Sequence, residues 1–389
     1  MENNELKVGI DKLSFFVPHY YVDMSDLARA RHVDKAKFHI GIGQDEMAVS
    51  PVTQDIVTFA ASAANQILDE QDKALVDLVI VATESSIDES KASAVIVHGL
   101  LGIQPFARSI EMKEACYAAT AGIASAVDYV RLHPERKALV IASDLAKYGL
   151  NSGGEPTQGA GAVAMLISSN PKILFVNDDA LTLTQDVYDF WRPTGQTYPS
   201  VDGQFSNAVY IESFSRVWDE YAKRTASQFS DFAALAFHTP YTKMGKKALL
   251  PKLENETESV KTRLLTQFER AITYNRRIGN LYTGSLYLSL ISLLENSETL
   301  KAGDKIGLFS YGSGAVAEFY SVELVTGFDQ HLKKNEHELL LHQREKLSIR
   351  TYEKMFEEKI DLNHNERFSD ETPYAISEIK ANHRLYRQK

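Results

Sequence analysis

An α/β fold built from two duplicated halves follows from two observations: strand-length apolar runs alternate with longer helical patterns, and two distant pairs of segments repeat at nearly one shift. The first pair is Gly159-Ala160-Gly161-Ala162-Val163-Ala164 and Gly312-Ser313-Gly314-Ala315-Val316-Ala317, which agree at every position but one and lie 153 residues apart. The second is Leu78–Thr83, ending on Glu84, and Phe232–Phe237, ending on His238, at a shift of 154. A shift common to both points to an ancient duplication in which each half supplies a strand end and a glycine-rich turn. The halves divide as residues 1–170, with Glu84 and Cys116, and residues 171–389, with His238.

In the first half, Leu78–Thr83 and Lys137–Ala142 read as buried parallel strands. Between them Ile123, Ala126, Val127 and Val130 recur at helical spacing, so Cys116 falls at a helix entrance. The second half repeats the plan: Phe232–Phe237 and Ile306–Tyr311 are strands, with a helix candidate from Gly279 to Asn296 between them. Cys116 and the Gly279–Thr283 turn therefore hold comparable places. The segment 177–214 mixes Tyr188, Phe190, Trp191 and Tyr198 with Pro and Gly, the composition of a stretch that covers a site or connects the halves. Residues 328–389 are heavily charged and read as a packing helix pair.

Composition bounds the function. The 389 residues, 44% hydrophobic and 24% charged, suffice for a large core. A net charge of −10 gives broad attraction to nucleic acid no support. The opening Met1–Lys7 lacks a basic stretch leading into an apolar one, and no apolar run reaches the roughly 18 residues needed to span a bilayer, so neither secretion nor membrane spanning is expected. A single cysteine excludes an intramolecular disulfide and a multi-cysteine zinc site and fits a reducing cytoplasm. No cluster has metal-ligand spacing, so neither a metal nor a cofactor is expected. Lys243, Lys246 and Lys247, with Arg276 and Arg277 further on, are the local candidates for a polyanionic ligand; an ordinary solvated face is the alternative.

Three reactive types converge on this frame. Ligands in open α/β sheets sit beyond the carboxyl ends of strands, so Glu84 and His238 point to one crevice if the halves pack face to face. The helix entrance favours a thiolate at Cys116, which can accept an acyl group, and N–H groups of Gly312-Ser313-Gly314 can hold a carbonyl oxygen as it gains charge. A protease could use the same parts. A carboxyl in an apolar pocket adds a base able to act on a weakly acidic carbon. Each residue also has a plain reading: Cys116 as core, Glu84 as a turn cap with Ser85 and Ser86, His238 as a satisfied buried imidazole.

The motifs Glu114-Ala115-Cys116-Tyr117, Gly153-Gly154-Glu155-Pro156-Thr157-Gln158-Gly159-Ala160-Gly161-Ala162, Phe237-His238-Thr239-Pro240-Tyr241, Gly279-Asn280-Leu281-Tyr282-Thr283-Gly284-Ser285 and Tyr311-Gly312-Ser313-Gly314 together resemble those of the 3-hydroxy-3-methylglutaryl-CoA synthases of compact bacterial type. Lys37–Gln44 and Asp189-Phe190-Trp191-Arg192-Pro193 extend the resemblance over nearly the whole chain. One departure is Ala118, where the family usually carries glycine; its methyl is expected to crowd the acyl pocket. The resemblance implies the thiolase fold, five layers αβαβα from two duplicated halves, a homodimer, and condensation of acetyl-CoA with acetoacetyl-CoA in the mevalonate pathway, with CoA thioesters as substrates. It implies that Cys116 carries the acetyl group, Glu84 moves the proton and His238 holds acetoacetyl-CoA. Asn280 and Ser313 would contact acyl oxygens, Tyr148, Thr157 and Ser206 the product's acyl moiety, and Lys243 and Lys247 the CoA arm, with Asp34 at the entrance. A ketoacyl-acyl carrier protein synthase using cysteine, histidine and asparagine is the nearest rival, and a non-catalytic acyl-CoA binder the other; Glu84 separates the first, and the intact trio the second.

Overall fold

The computed structural model describes residues 6–388; residues 1–5, part of the opening segment read above for a leader, and Lys389 lie outside it. Ten strands form one mixed sheet: β1 (Val8–Phe16), β2 (Val76–Ala82), β3 (Arg108–Met112), β4 (Lys137–Ala146), β5 (Gly159–Ser169), β6 (Leu174–Val176), β7 (Leu181–Thr184), β8 (Ala234–Phe237), β9 (Lys305–Gly312) and β10 (Val316–Leu324). Their order is β8-β9-β10-β6-β1-β5-β4-β2-β3, with β7 also on β10. On one side β2 runs parallel to β4, β4 antiparallel to β5 and β5 antiparallel to β1. On the other, β8 runs parallel to β9, β9 antiparallel to β10 and β10 antiparallel to β6. The two sets meet where β1 pairs with β6, so one motif occurs twice about the β1–β6 seam.

Alternation along the central strands builds the layers. In β4, Ala138, Val140 and Ala142 face one core while Leu139 and Ile141 face another. The first core holds α3 (Ala118–Leu132) and α7 (Ser285–Asn296), one helix from each half, against both sides of the duplicated sheet. Its helix α7 is buried on every face from Ser285 to Glu295, as a helix enclosed between the two halves of the sheet must be. Outside it, α1 (Ile56–Asn65) and α2 (Ser93–Leu101) cover the first half through Phe59 and Val97. On the other flank α4 (Gly203–Thr225), α5 (Met244–Lys252) and α6 (Glu258–Ala271) cover the second through Phe214, Leu249 and Phe268. The result is five layers, αβαβα.

Three sequence readings need correction. Gly159–Ala164 is the start of strand β5 and not a turn, whereas its repeat does turn at Ser313 and Gly314 before β10. The helix predicted from Gly279 begins at Ser285, because Gly279–Gly284 is consumed by an irregular turn with Tyr282 at φ +43°. Residues 328–389 contain helices α8 (Lys334–His342) and α9 (Ile349–Glu357), but the chain then forms strands β11 (Glu366–Arg367), β12 (Tyr374–Lys380) and β13 (His383–Gln388). Strands β12 and β13 pair through the two-residue turn Ala381-Asn382, both at positive φ, the geometry that matches strand twist.

Candidate active site

Cys116 sits in the turn Glu114–Tyr117, just before α3. The Tyr117 N–H donates to Glu114 O at 3.0 Å, and Ala115 takes a left-handed φ of +41°, a conformation that costs a non-glycine residue energy and turns the chain sharply. Glu84 follows the end of β2 and His238 the end of β8, so equivalent strand ends carry them, as the duplication predicts. The Cys116 thiol donates to Glu84 Oε1 at 3.0 Å. Cys116 and His238 both line one cavity of about 610 Å³, together with Tyr148, Thr157, Ser206, Asn280 and Ser313. Glu84 reaches that cavity through the thiol; its own residue borders a separate cleft, which shares Phe190 and Ser313 with it.

Asp144 holds the centre together. Buried at the end of β4, it accepts from Thr83 Oγ1, the Glu84 N–H, Ser85 Oγ, and both the Thr283 N–H and Oγ1, at 2.5–3.1 Å. Thr283 belongs to the second half, so this carboxyl ties the Glu84 turn to the turn carrying Asn280. Asn280 is fixed in turn: its Oδ1 accepts from the Tyr282 N–H and Ser285 Oγ, and its Nδ2 donates to Tyr148 OH at 3.0 Å. Tyr148 also stands edge-on to Phe190 and Tyr282, which makes an aromatic wall.

The electrostatics correct one expectation. Burial, and then the Asp144 charge, push Glu84 up to about 8. Burial and the neighbouring Glu84, Asp144 and Asp189 carboxyls raise the Cys116 thiol well above its ordinary value, so the helix entrance does not deliver a resting thiolate. Burial is the largest cause, and the N–H groups of Tyr117 and Ala118, bonded to Glu114 O and Ala115 O, are not free to offset it. Burial lowers His238 to about 3, so the imidazole is neutral near pH 7. Its backbone is pinned by Phe309 O and Tyr210 OH, while its Nδ1 is buried with no partner.

The glycine-rich turn is only partly free. Gly314 N–H donates to Asp189 Oδ1 at 2.9 Å, and Tyr311 OH and Ser206 Oγ use the other oxygen, so the Ser313 face is what the turn presents to the cavity. Asp34, Lys243 and Lys247 are not part of the cavity wall. Asp34 is exposed and accepts from the Ala36 N–H. Lys243 Nζ donates to Ile40 O and Lys247 Nζ to Tyr241 OH, and Tyr241 does line the cavity. Lys246, Arg276 and Arg277 are paired with Glu269, Asp45 and Glu338, so of the basic cluster Lys243 and Lys247 alone keep a cation without a carboxylate among the described residues. Ala118 is packed in the central core and not in the cavity wall, so its methyl does not crowd the acyl pocket. Asp144, Asp189 and Tyr210 were not singled out by the sequence; the one signal for Asp144 is a charge inside the apolar run Lys137–Ala146, and for Asp189 its place in Asp189-Phe190-Trp191-Arg192-Pro193. Among the described residues, no group of His, Cys, Asp and Glu could hold a metal ion.

Five layers from a repeated half, with a cysteine at the entrance of a central helix, define an enzyme of the thiolase-like class. The family described as hydroxymethylglutaryl-coenzyme A synthase N terminal matches residues 4–172, and its C-terminal counterpart matches residues 176–267 and 252–382. The chain belongs to the hydroxymethylglutaryl-CoA synthase family. It is 63% identical over 382 residues to the hydroxymethylglutaryl-CoA synthase of Enterococcus faecalis, covering 98% of this chain and 100% of that one. Its identity to the cytoplasmic hydroxymethylglutaryl-CoA synthase of Homo sapiens is 30%, over 82% of this chain and 72% of the other. A crystal structure of an HMG-CoA synthase complexed with CoA superimposes with a TM-score of 0.96 at 47% identity, covering 99% of this chain and 100% of that one.

Proposed function

We propose that the protein condenses acetyl-CoA with acetoacetyl-CoA and water to give 3-hydroxy-3-methylglutaryl-CoA and free CoA, the step that feeds the mevalonate pathway to isoprenoids. The observation that carries this reading is the 3.0 Å hydrogen bond from the Cys116 thiol to Glu84, across one cavity from a neutral His238. In the first step the thiol proton passes to Glu84 as sulfur attacks the thioester carbonyl, and the proton then leaves with CoA, restoring the carboxylate beside acetyl-Cys116. Glu84 next takes a proton from the acetyl methyl; its raised pKa brings it closer to that weakly acidic carbon. The new carbanion attacks the ketone of acetoacetyl-CoA, whose oxygen His238 polarises as a hydrogen-bond donor, and Glu84 returns its proton to the alkoxide. Water then cleaves the Cys116 thioester, releasing product and regenerating the thiol.

Around this chemistry Asn280 and Ser313 serve the acyl oxygens, and Tyr148, Thr157 and Ser206 shape the acyl end of the cavity. Lys243 and Lys247, cations without carboxylate partners, serve the CoA phosphates beyond Tyr241, and we assign Asp34 to the entrance. The reaction asks for no metal or cofactor. A homodimer in the cytoplasm completes the reading: among the described residues β3 ends the sheet with β2 as its one neighbour, and that edge suits pairing with a second copy. Sedimentation at twice the 43.5 kDa chain mass is expected, and a monomer overturns the dimer alone.

The test of function follows acetoacetyl-CoA loss and CoA thiol release with and without acetyl-CoA. Loss that needs both substrates, together with an acetyl mass on Cys116 from acetyl-CoA alone, is the expected result. A Glu84→Ala protein that condenses at the parent rate would sink the assignment and favour a decarboxylating synthase, which has no use for a carboxyl base.

A further inference from the structure

A second cavity of about 430 Å³ opens between the end of β4, the segment after α9 and the C-terminal hairpin. It shares no residue with the wall of the cavity that holds Cys116. Its cations are Lys147, Arg192, Lys359 and Arg384, against the carboxyls of Asp55 and Glu358. Arg384 is spent on Asp55 at 2.9 Å. Lys147, Arg192 and Lys359 have no carboxylate within ion-pair distance among the described residues. Lys147 is the informative one. Its side chain is half-buried, with the ammonium 4.9 Å from the centre of the Phe356 ring. Burial and the like charge of Lys359 both push its pKa down. A cation withdrawn from water beside a second cation is unfavourable until an anion joins them. One part of the remaining wall is apolar, with Ile56, Ile87, Leu145, Met355, Ile360 and Ile376, beside the polar side chains of Ser50, Gln54, Ser85, Ser86 and Thr197. The size falls within the range of small-molecule pockets, about 300–1,000 Å³, and leaves room beyond a bare oxyanion.

We propose that this cavity is a second ligand site and that it takes an oxyanion carried on a short aliphatic chain, the head between Lys147, Lys359 and Arg192 and the tail on the aliphatic wall. Its occupant borders the groups that hold Glu84, since Arg192 also donates to the Glu84 carbonyl and Ser85 to Asp144.

Titration calorimetry on the full chain tests this in saturating CoA, which keeps the phosphate-binding parts of the first site occupied, and reads binding without turnover. The probes are n-butyl phosphate and n-pentanoate, which separate a phosphate from a carboxylate head, with inorganic phosphate and n-butanol as controls. We expect one saturable site per chain for at least one of the two tailed anions, tighter than for inorganic phosphate, and no saturable binding of n-butanol. Lys147→Met should weaken it at least tenfold. Lys359→Gln, at an exposed position where folding is not at issue, should weaken it several-fold. No saturable heat from either tailed anion, butanol binding as well as they do, or unchanged affinity in Lys359→Gln would overturn the proposal.

Discussion

At the scale of single residues, the centre is set by a buried carboxyl outside the wall of the cavity that holds Cys116. Asp144 is pushed up to about 6 by burial, with hydrogen bonds from Thr283, Ser85, Glu84 and Thr83 opposing that rise, and after burial its charge is the next cause that raises Glu84. Asp144→Asn removes the charge and one acceptor oxygen. The limb of the pH–rate profile that reports Glu84 should then move to lower pH, and kcat should fall about 10–100-fold, or about 1.4–2.8 kcal/mol, as the Glu84 and Thr283 turns lose their shared anchor. A pH–rate series on both proteins checks the direction. Glu84 also bears on stability. Its carboxyl rises from an ordinary 4.5 to about 8 in the fold, so between those values the folded chain holds a proton that the unfolded chain gives up, and stability is lost as pH climbs through that window. Glu84→Gln cannot ionise. Its melting temperature should therefore gain on the parent from pH 5 to pH 9, and a gap that stays constant would contradict the assignment. The places of Cys116, Glu84 and His238 were legible because strand ends and a helix entrance leave a pattern. Asp144 and Asp189 were not, because a buried charge satisfied by neighbours distant in sequence has no periodicity.

Between elements, the duplicated glycines do one job twice. A Cβ on Gly159, at the start of β5, would stand 2.6 Å from Asn280 O and 2.8 Å from Asn280 N. A Cβ on Gly312, at the end of β9, would stand 2.6 Å from Glu114 O and 2.7 Å from Tyr117 N. Each half thus uses its glycine to admit the reactive turn of the other half, Asn280 in one case and Cys116 in the other. The obstructing atoms are backbone, so Gly159→Ala forces the Asn280 turn away. We expect a loss of about 1–3 kcal/mol in denaturant unfolding, with a lower rate of condensation, because Asn280 also positions Tyr148. The repeat was visible in the sequence, yet its meaning was not: the string marks a close approach, which needs glycine whether the backbone is strand or turn. The C-terminal hairpin escaped notice for a related reason, since Ala381-Asn382 makes its turn without the glycine that usually announces one.

For the whole molecule, the duplication implies two halves but the packing denies them independence. The central core is composed of Ile123, Ala126 and Val130 from α3, Leu286, Leu290 and Leu293 from α7, and strand faces of both halves, such as Val140 and Leu308. A chain of residues 1–170 alone would leave α3 and the inner faces of β1, β2, β4 and β5 with one wall missing, and Asp144 would lose Thr283. The exposed side would be a continuous apolar surface, which no monomeric soluble protein sustains without aggregation or partial unfolding. Full-length protein should therefore melt in one calorimetric transition, and the 1–170 chain should lack near-ultraviolet ellipticity and protected amides in β4, the middle strand of the first half of the sheet. Protection of β4 amides in that fragment equal to the full chain's would mean that the first half folds by itself, and that the shared helix layer joins two finished domains.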